Sequence, residues 1–277
     1  MKVSRRSLKQ RLDSLCETLV PSILAVDPVQ FPRRYARAED REIAGFIAAA
    51  LSYGRLAQIR RSVERVLACL GDRPARAVRK VDARRAARDL EGFAHRFSTG
   101  RDVAFLLRIL DRLLAEHGSL EEAFLAGFHP SHGTIGPALT AFTRRALAVD
   151  VSPLAPGGRV PPAAGVRFFF PSPEDGSACK RLNMFLRWMV RRDAVDLGVW
   201  RGVPTSSLVM PVDTHVARVS RALGLTPRRS ADWRMALEVT EALREFDPED
   251  PVRYDRAIYG LGLSTPARGV RAGRVRL

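Results

Sequence analysis

Apolar residues recur three or four positions apart along most of the chain, a spacing that places them on one face of an α-helix. The first such stretch ends at Pro21 and consists of Leu8, Leu12, Leu15 and Leu19. Further stretches, broken by glycines or prolines, predict helices over residues 40–53, 56–70, 103–116, 120–125 and 135–149. No run of the sequence alternates convincingly between apolar and polar residues, so we predict no strands.

The segment 151–167 interrupts this helical pattern with Pro153, Pro156, Pro161 and Pro162 and with Gly157, Gly158 and Gly165. Such a composition sustains neither a helix nor a strand ladder, so we predict a linker or exposed loop. After it the pattern predicts helices over about residues 177–192, 214–223, 231–246 and 252–261. We interpret the arginine-rich segment 73–88 as solvated surface. The sequence therefore predicts an all-α protein.

The charge of the chain is strongly basic, with 46 lysines and arginines against 30 acidic residues and a formal net charge of +16. Such an excess concentrates polyanions, which favours nucleic acid as a partner. The alternative explanation is a genome rich in G and C, since such genomes favour arginine and only four of the basic residues are lysines. Charge alone does not identify an activity.

Several classes of protein are excluded by simpler features. The longest nearly uncharged apolar stretch, 43–54, is too short to span a bilayer, which takes about 20 residues. The basic start of the chain is not followed by the apolar core of a signal peptide. Cys16, Cys69 and Cys179 form no Cys-x-x-Cys pair. We therefore expect a cytoplasmic protein with no membrane partner, no disulfide framework, no metal and no cofactor.

Lys180 is the first candidate for chemistry. The run from Pro171 to Cys179 is a turn that leads into a predicted helix, whose free N–H groups can hold a phosphate. In the first helical turn, the helix dipole and partial burial disfavour a charged lysine, so its amine could act as a nucleophile. Arginine stays protonated in proteins, so a position that needs a neutral amine must remain lysine even in a chain rich in arginine. The alternative is a lysine placed there by chance.

A polar stripe follows Lys180 along the same predicted helix and includes Asn183, Arg187 and Arg191. One interpretation is that the stripe lines a cleft for a phosphodiester backbone. The equally supported alternative is that Arg187 and Arg191 pair with acids such as Asp196 or Glu174. The residues between them are mostly large and apolar, so the helix itself is predicted to be buried.

Asp213 is the second candidate, at the N-cap of the helix that begins with Thr214. Helix capping alone explains an aspartate at this position. A carboxylate beside a neutral lysine would also stabilise positive charge at a sugar C1′ and accept a proton. Gly224 occupies the usual position for ending such a helix. We interpret His215 as a packed or capping residue rather than a catalytic one.

A lysine that opens a helix after a glycine-containing turn, followed by Val-Asp-Thr-His-Val-Ala-Arg-Val at 212–219, resembles the helix-hairpin-helix DNA glycosylase superfamily, which includes endonuclease III. The resemblance implies an all-α fold, with a six-helix barrel and a second helical lobe built from both chain ends. On this chain we expect an N-terminal segment, 1–38, that packs on the second lobe. The barrel would cover 39–195, including the 151–167 linker, and the C-terminal lobe 196–277.

The resemblance also implies roles for individual residues. In that superfamily the hairpin grips a DNA phosphate, a lysine attacks the sugar C1′ of the damaged nucleotide, and an aspartate assists. By motif position, the catalytic roles fall on Lys180 and Asp213. The DNA contacts expected on this chain are Gly176, Ser177, Ala178, Arg181, Asn183, Arg187, Arg55 and His215.

Several positions depart from the superfamily pattern. The 33 positions from Lys180 to Asp213 exceed the spacing in endonuclease III-like members and are closer to the archaeal 8-oxoguanine glycosylase branch. The hairpin reads Gly176-Ser177-Ala178 instead of Gly-x-Gly, and the C-terminal iron–sulfur cysteines are absent. The segment 51–55 lacks the glutamine that enters the duplex in Leu-Ser-x-Gln members. Overall, including 27–32 and 248–251, the chain more closely resembles an uncharacterised bacterial family placed near these glycosylases.

These features together predict a monomeric, nucleoid-associated glycosylase and AP lyase that acts on double-stranded DNA containing an oxidised purine such as 8-oxoguanine. The damaged nucleotide would be flipped into a pocket, with no cofactor required. Candidates for stacking on the flipped base are Phe168 to Phe170, Trp188 and Trp200, although each is also a typical core residue. The alternatives are a non-catalytic helix-hairpin-helix protein that binds DNA or structured RNA, and a helical interaction scaffold.

Overall fold

A computed structural model describes residues 4–18 and 26–263 of the chain. This part of the protein is mostly helical, with thirteen α-helices and a single small hairpin of two strands. The prediction of an all-α protein is therefore confirmed. Among the described residues no helix is both long enough and apolar enough to cross a membrane.

The α-helices are α1 (Arg5–Thr18), α2 (Gln30–Arg33), α3 (Ala38–Ala50), α4 (Leu56–Leu70), α5 (Pro74–Val78), α6 (Ala83–Asp89), α7 (Gly100–His117), α8 (Leu120–Leu125), α9 (Gly136–Ala148), α10 (Lys180–Val190), α11 (Thr214–Ala222), α12 (Trp233–Arg244) and α13 (Asp255–Leu263). The strands are β1 (Ala94–His95) and β2 (Ser98–Thr99), which pair antiparallel. Short 3-10 helices span Pro130–His132, Pro156–Gly158, Gly165–Phe169, Thr205–Ser207 and Pro251–Tyr254.

The helical spacing of apolar residues located these elements well. The bounds of α4 and α8 are those predicted, and the other predicted helices differ by a few residues at their ends, whereas α2, α5 and α6 were not predicted. The start of α7 at Gly100 is earlier than predicted because Thr99 and Asp102 form a capping box there. In α1, Leu8 and Leu12 are buried as the pattern predicts, whereas Leu19 and Pro21 lie outside the described residues.

Three expectations need correction. The prediction of no strands was wrong, since β1 and β2 form a hairpin. The sequence pattern missed it because only two residues pair on each side, too few to show alternation. The segment 151–167 is irregular as predicted, but it is not simply exposed, since Val151, Leu154, Val160 and Val166 are buried. The arginine-rich segment 73–88 has exposed arginines, yet it forms α5 and α6 and buries Pro74, Ala75, Val78 and Ala83.

The centre of the protein is the contact between α3 and α10. After Lys180, every residue of α10 is buried. The rings of Phe46 and Phe185 meet edge to face across this contact, with centroids 5.1 Å apart. A Cβ atom at Gly45 would lie 2.9 Å from Met189 Cε, the flexible end of a side chain, so the glycine leaves room for the present position of this methionine. The helix that begins with Lys180 is therefore held firmly along its length.

Glu42 is a buried carboxylate that joins α3 to α8. Its side chain accepts hydrogen bonds from Leu120 N at 2.9 Å, Glu121 N at 2.8 Å and Trp200 Nε1 at 2.7 Å. It thus satisfies two of the N–H groups that the start of a helix leaves free. Burial, only partly offset by these bonds, raises the pKa of Glu42 to about 7.

Charged side chains also fill a region between α10, α13 and the loop after α10. We define the ion cluster as Arg187, Arg191, Arg256, Asp193, Asp196, Asp250 and Asp255. Asp196 is 2% exposed and contacts all three arginines, including Arg187 at 3.3 Å and Arg256 at 3.0 Å. The cluster ties α10 to α13.

The N-terminal helix packs on this same side of the protein. α1 lies against α13 and against the 3-10 helix Pro251–Tyr254. Tyr254 Oη donates a hydrogen bond to Asp13 Oδ1 at 3.0 Å, and Cys16 Sγ lies 3.4 Å from the carbonyl oxygen of Arg253. The two ends of the described chain are therefore in direct contact, although they are far apart in sequence.

The raised pKa of Glu42 predicts a pH-dependent stability. Because the native pKa is about 7 and the ordinary value is 4.5, the stabilising contribution of Glu42 is complete below pH 4.5 and lost as the pH rises through 7. We expect urea denaturation to show that ionisation of this residue lowers the free energy of unfolding by up to about 3 kcal/mol as the pH rises from 4.5 to above 7. The Glu42→Gln variant should lack this component. A wild-type minus variant difference that is independent of pH would contradict the assignment.

The ion cluster predicts a large cost for losing its central acid. Asp196→Ala leaves three arginines without their shared carboxylate, and we expect the free energy of unfolding to fall by about 3–5 kcal/mol. The matched control is Glu64→Ala, which breaks the exposed pair with Arg34 and should cost less than about 1 kcal/mol. Chemical denaturation of both variants checks the expectation. Equal costs would show that the cluster contributes no more than a surface ion pair.

Candidate active site

Lys180 and Asp213 lie at the starts of two different helices that converge. Lys180 is the first residue of α10, and Asp213 is the N-cap of α11. The distance from Lys180 Nζ to Asp213 Oδ2 is 3.8 Å. Their side chains are 31% and 33% exposed, so both groups are partly shielded and still reachable from solvent. The structure thus brings together the two residues that the motif pointed to.

The position of Lys180 is set by the turn that precedes it. Cys179 has φ of +49°, a left-handed conformation, and it stops the helix from extending further back. The helix consequently begins at Lys180 and not at the predicted residue 177. The turn is also tied to α12, because Trp233 N donates to the Gly176 carbonyl at 3.1 Å and Ser177 forms a bridge with Asp232.

Asp213 uses its two carboxylate oxygens for different contacts. Oδ1 accepts hydrogen bonds from His215 N and Val216 N, both at 2.9 Å. Oδ2 is the oxygen that lies near Lys180. The predicted N-cap is therefore confirmed, and capping does not compete with a contact to the lysine. Gly224, with φ of +70°, follows the C-cap Leu223 as the sequence predicts.

A cavity of about 470 Å³ opens beside this pair. Two further carboxylates, those of Asp27 and Asp255, lie in its wall, and burial raises the pKa of each above the ordinary value for aspartate. Ser52, Tyr53 and Gly54 also line the cavity. One amine therefore lies in a pocket with three carboxyl groups. Once deprotonated, the amine can attack an electrophilic carbon, and the carboxyl groups can transfer protons.

Asp27 and Asp255 were not among the site residues predicted from the sequence. Asp27 belongs to the 27–32 segment that carries part of the family resemblance, and that segment was the available signal. Its Oδ1 accepts a hydrogen bond from Val29 N at 2.9 Å, which fixes the carboxylate before α2. No local pattern distinguishes Asp255 from other acids of the C-terminal region, because its place in the cavity depends on how α13 packs.

Three of the expected DNA contacts on α10 are not available to a phosphate backbone. Arg187 is 3% exposed and pairs with Asp196 and Asp255, so the ion-pair alternative is correct for this residue. Asn183 is 1% exposed and donates to the Ala178 carbonyl at 3.1 Å. Arg181 is 8% exposed and donates to the carbonyls of Ala50 and Phe168.

The remaining residue of the polar stripe, Arg191, also lies in the ion cluster. Glu174, the other acid suggested as a partner, pairs instead with Arg144.

The other expected contacts differ in their access to solvent. Gly176 and Arg55 are exposed, and Ser177 is half-buried with its Oγ accepting from Cys179 N at 3.2 Å. Ala178 is 8% exposed, so it offers little surface. His215 packs against α13, with Nε2 3.3 Å from the Tyr259 carbonyl. This contact fits the interpretation of His215 as a packed residue.

The candidate stacking residues are mostly core residues, as their alternative interpretation states. Phe169, Phe170, Trp188 and Trp200 are each no more than 3% exposed. Phe168 is the exception, at 39% exposed. In the described part of the chain, no group of three or more histidine, cysteine or acidic side chains is arranged to hold a metal ion.

Residues 27–264 match a family described as "Protein of unknown function (DUF2400)". The match covers most of the chain, and the protein therefore belongs to this family. No curated protein and no solved structure matches the chain. The matched region contains Lys180, Asp213 and the carboxylates of the cavity wall.

Because the two oxygens of Asp213 make different contacts, the contributions of the N-cap and of the ion pair with Lys180 to stability can be measured separately. Asp213→Asn keeps a side-chain oxygen for the N-cap, and we expect a free energy of unfolding within a few tenths of a kcal/mol of wild type. Asp213→Ala removes the cap and should cost about 1 kcal/mol. Thermal or urea denaturation of both variants measures the difference. Equal losses in both would mean that the ion pair with Lys180, and not the cap, stabilises this helix start.

Proposed function

We propose that this protein is a DNA N-glycosylase with AP lyase activity, with the helix-hairpin-helix glycosylase-like architecture of a barrel and a second lobe. The observation that carries the proposal is the 3.8 Å approach of Lys180 Nζ to Asp213 Oδ2 at the wall of a cavity. The cavity volume of about 470 Å³ lies in the range of pockets that enclose small ligands, about 300–1,000 Å³. It would hold one extruded nucleotide.

The resemblance supplies the substrate class. The Asp213-Thr214-His215 motif and the lysine after a turn resemble the helix-hairpin-helix glycosylases, and the spacing between the two residues is closer to the archaeal 8-oxoguanine branch. An oxidised purine in double-stranded DNA is therefore the substrate that we propose. The net charge of +16 supports a polyanionic partner. The scheme needs no cofactor.

The chemistry begins with attack of the Lys180 amine on C1′ of the flipped nucleotide. The new C–N bond displaces the base, which leaves with the electron pair of the glycosidic bond and takes up a proton. The sugar ring then opens to form a protonated Schiff base on Lys180. Loss of a proton from C2′ and departure of the 3′ phosphate break the strand by β-elimination. Water finally releases the lysine.

Asp213 has two roles in this scheme. An ammonium group cannot attack, so Lys180 must first lose a proton, and Asp213 Oδ2 is a nearby acceptor. Asp213 would pass this proton on towards the departing base, and the carboxylate so restored would stabilise the positive charge that develops at C1′. Asp27 and Asp255, whose pKa values are raised by burial, are suited to hold or return protons in the same cavity.

Borohydride trapping tests the proposal directly, because it reduces a Schiff base to a stable covalent adduct. We expect wild-type protein to form such an adduct with a duplex that contains 8-oxoguanine. Lys180→Gln should form none, and Asp213→Asn should form it at least about a hundredfold more slowly. Gel electrophoresis of the trapped complexes measures each rate.

Two control variants make the result specific. Lys180→Arg keeps the positive charge but has no amine that can be deprotonated, so it should bind the duplex and form no adduct. Lys80→Gln removes an exposed lysine from the loop after α5 and should trap like wild type. Salt-sensitive binding without an adduct across a panel of lesions would instead favour the non-catalytic alternative, a protein that holds DNA or structured RNA through its phosphates.

A further inference from the structure

Three aromatic side chains meet beside the cavity, and we define them as the aromatic cluster: Tyr53, Phe97 and Phe168. The rings of Tyr53 and Phe97 stack, with centroids 5.3 Å apart and an interplanar angle of 25°. Phe168 contacts both rings edge to face, at 4.9 and 4.6 Å. The three residues come from the loop before α4, the β1–β2 hairpin and the 3-10 helix Gly165–Phe169. The cluster therefore exists only in the folded protein.

The cluster is unusually exposed for its composition. Phe97 is 57% exposed and Phe168 is 39% exposed. Exposed neighbouring apolar side chains on a folded protein are typical of binding sites. Phe97 lies at the tip of the hairpin, next to Arg96, a non-glycine residue with φ of +55°. A strained backbone and an exposed ring at the same turn indicate a surface that is maintained for contact with a ligand.

Buried polar contacts hold the exposed rings in place. The His95 ring bonds Ser62 Oγ at 2.9 Å through Nδ1 and the Tyr53 carbonyl at 3.0 Å through Nε2. Tyr53 Oη lies 2.6 Å from Ser98 Oγ. These contacts join the hairpin to α4 and to the Tyr53 loop. The cluster is thus preorganised, so a ligand would not have to order it on binding.

A buried positive charge lies under the cluster. The Arg181 guanidinium is 3.8 Å from the centroid of the Phe168 ring and 5.1 Å from that of Tyr53. Burial lowers the pKa of Arg181 to about 10, which leaves it charged at neutral pH. Within the described residues it forms no ion pair with a carboxylate. Exposed Arg96, whose side chain lies beside Gly54, adds further positive charge next to the cluster. This environment favours a ligand that is both aromatic and anionic, as a nucleotide is.

We propose that the aromatic cluster stacks on an unpaired nucleobase of a DNA strand, outside the cavity and next to it. Tyr53 belongs both to the cluster and to the cavity wall, so the two sites would take neighbouring positions on one DNA molecule. The inference rests on the proposed function for the DNA itself. It adds a second contact, made by Phe97 and Phe168, that neither the motif nor the chemistry of Lys180 requires.

The experiment uses a duplex with 2-aminopurine opposite a tetrahydrofuran abasic analogue, which a lyase cannot cleave. Wild-type protein should bind this duplex about tenfold or more tightly than the matched intact duplex, and stacking should quench the 2-aminopurine fluorescence. In Phe97→Ala, we expect both the preference and the quenching to be lost. Phe97→Trp should keep both, and Phe97→Leu should lose most of the quenching because it is apolar but has no ring.

Because Phe97 is exposed, these variants should keep the wild-type thermal midpoint, which circular dichroism checks. Unchanged preference and quenching in Phe97→Ala and in Phe168→Ala would overturn the inference. If wild type is trapped by borohydride on 8-oxoguanine but shows no preference for the unpaired base, the stacking site fails and the proposed function stands. If wild type binds neither duplex, both fail together.

Discussion

Three buried arginines, Arg187, Arg191 and Arg256, share the carboxylate of Asp196. Arg187 lies in the last turn of α10, Arg191 directly follows this helix, and Arg256 belongs to α13. Burying three guanidinium groups is unfavourable unless carboxylates accept their hydrogen bonds and balance their charge. The cluster achieves this balance only when α10, α13 and the loop after α10 are in one arrangement. It therefore defines how the C-terminal helices pack on the centre of the protein.

The two ends of α10 consequently make different contacts. At its C-terminal end, arginines are held in fixed ion pairs, whereas its first residue, Lys180, lies in the cavity wall beside Asp213. Asp213 reaches the same place on α11, which packs against α13. Since α13 is fixed by the ion cluster, the separation between the amine and the carboxylate depends on contacts on the far side of both helices. The geometry of the pair is thus set by the core rather than by the pair itself.

A single loop connects the two proposed DNA contacts. The Ser52-Tyr53-Gly54 segment forms part of the cavity wall, and its tyrosine also lies in the aromatic cluster. Under the proposed function, this loop would correspond to the segment from which helix-hairpin-helix glycosylases insert a glutamine into the duplex. In this chain Gly54 stands at the glutamine position, the Tyr53 hydroxyl lies 2.6 Å from Ser98 Oγ, and exposed rings from two other segments lie beside the loop. Stacking in place of hydrogen bonding makes a contact that is less dependent on which base is present.

Features that depend on short-range contacts can be read from the amino-acid sequence. Apolar spacing located most of the helices, and the N-cap of α11 was correctly predicted at Asp213, because each of these features involves residues only a few positions apart. The sequence leaves open whether Arg187 faces DNA or an acid, since its pairing with Asp196 and Asp255 depends on how the loop after α10 and α13 pack against it. Packing of the folded chain settles this, together with the places of Asp27 and Asp255 in the cavity and of Phe97 beside Tyr53. In each case, the physical reason is that burial and charge balance arise from packing between distant segments.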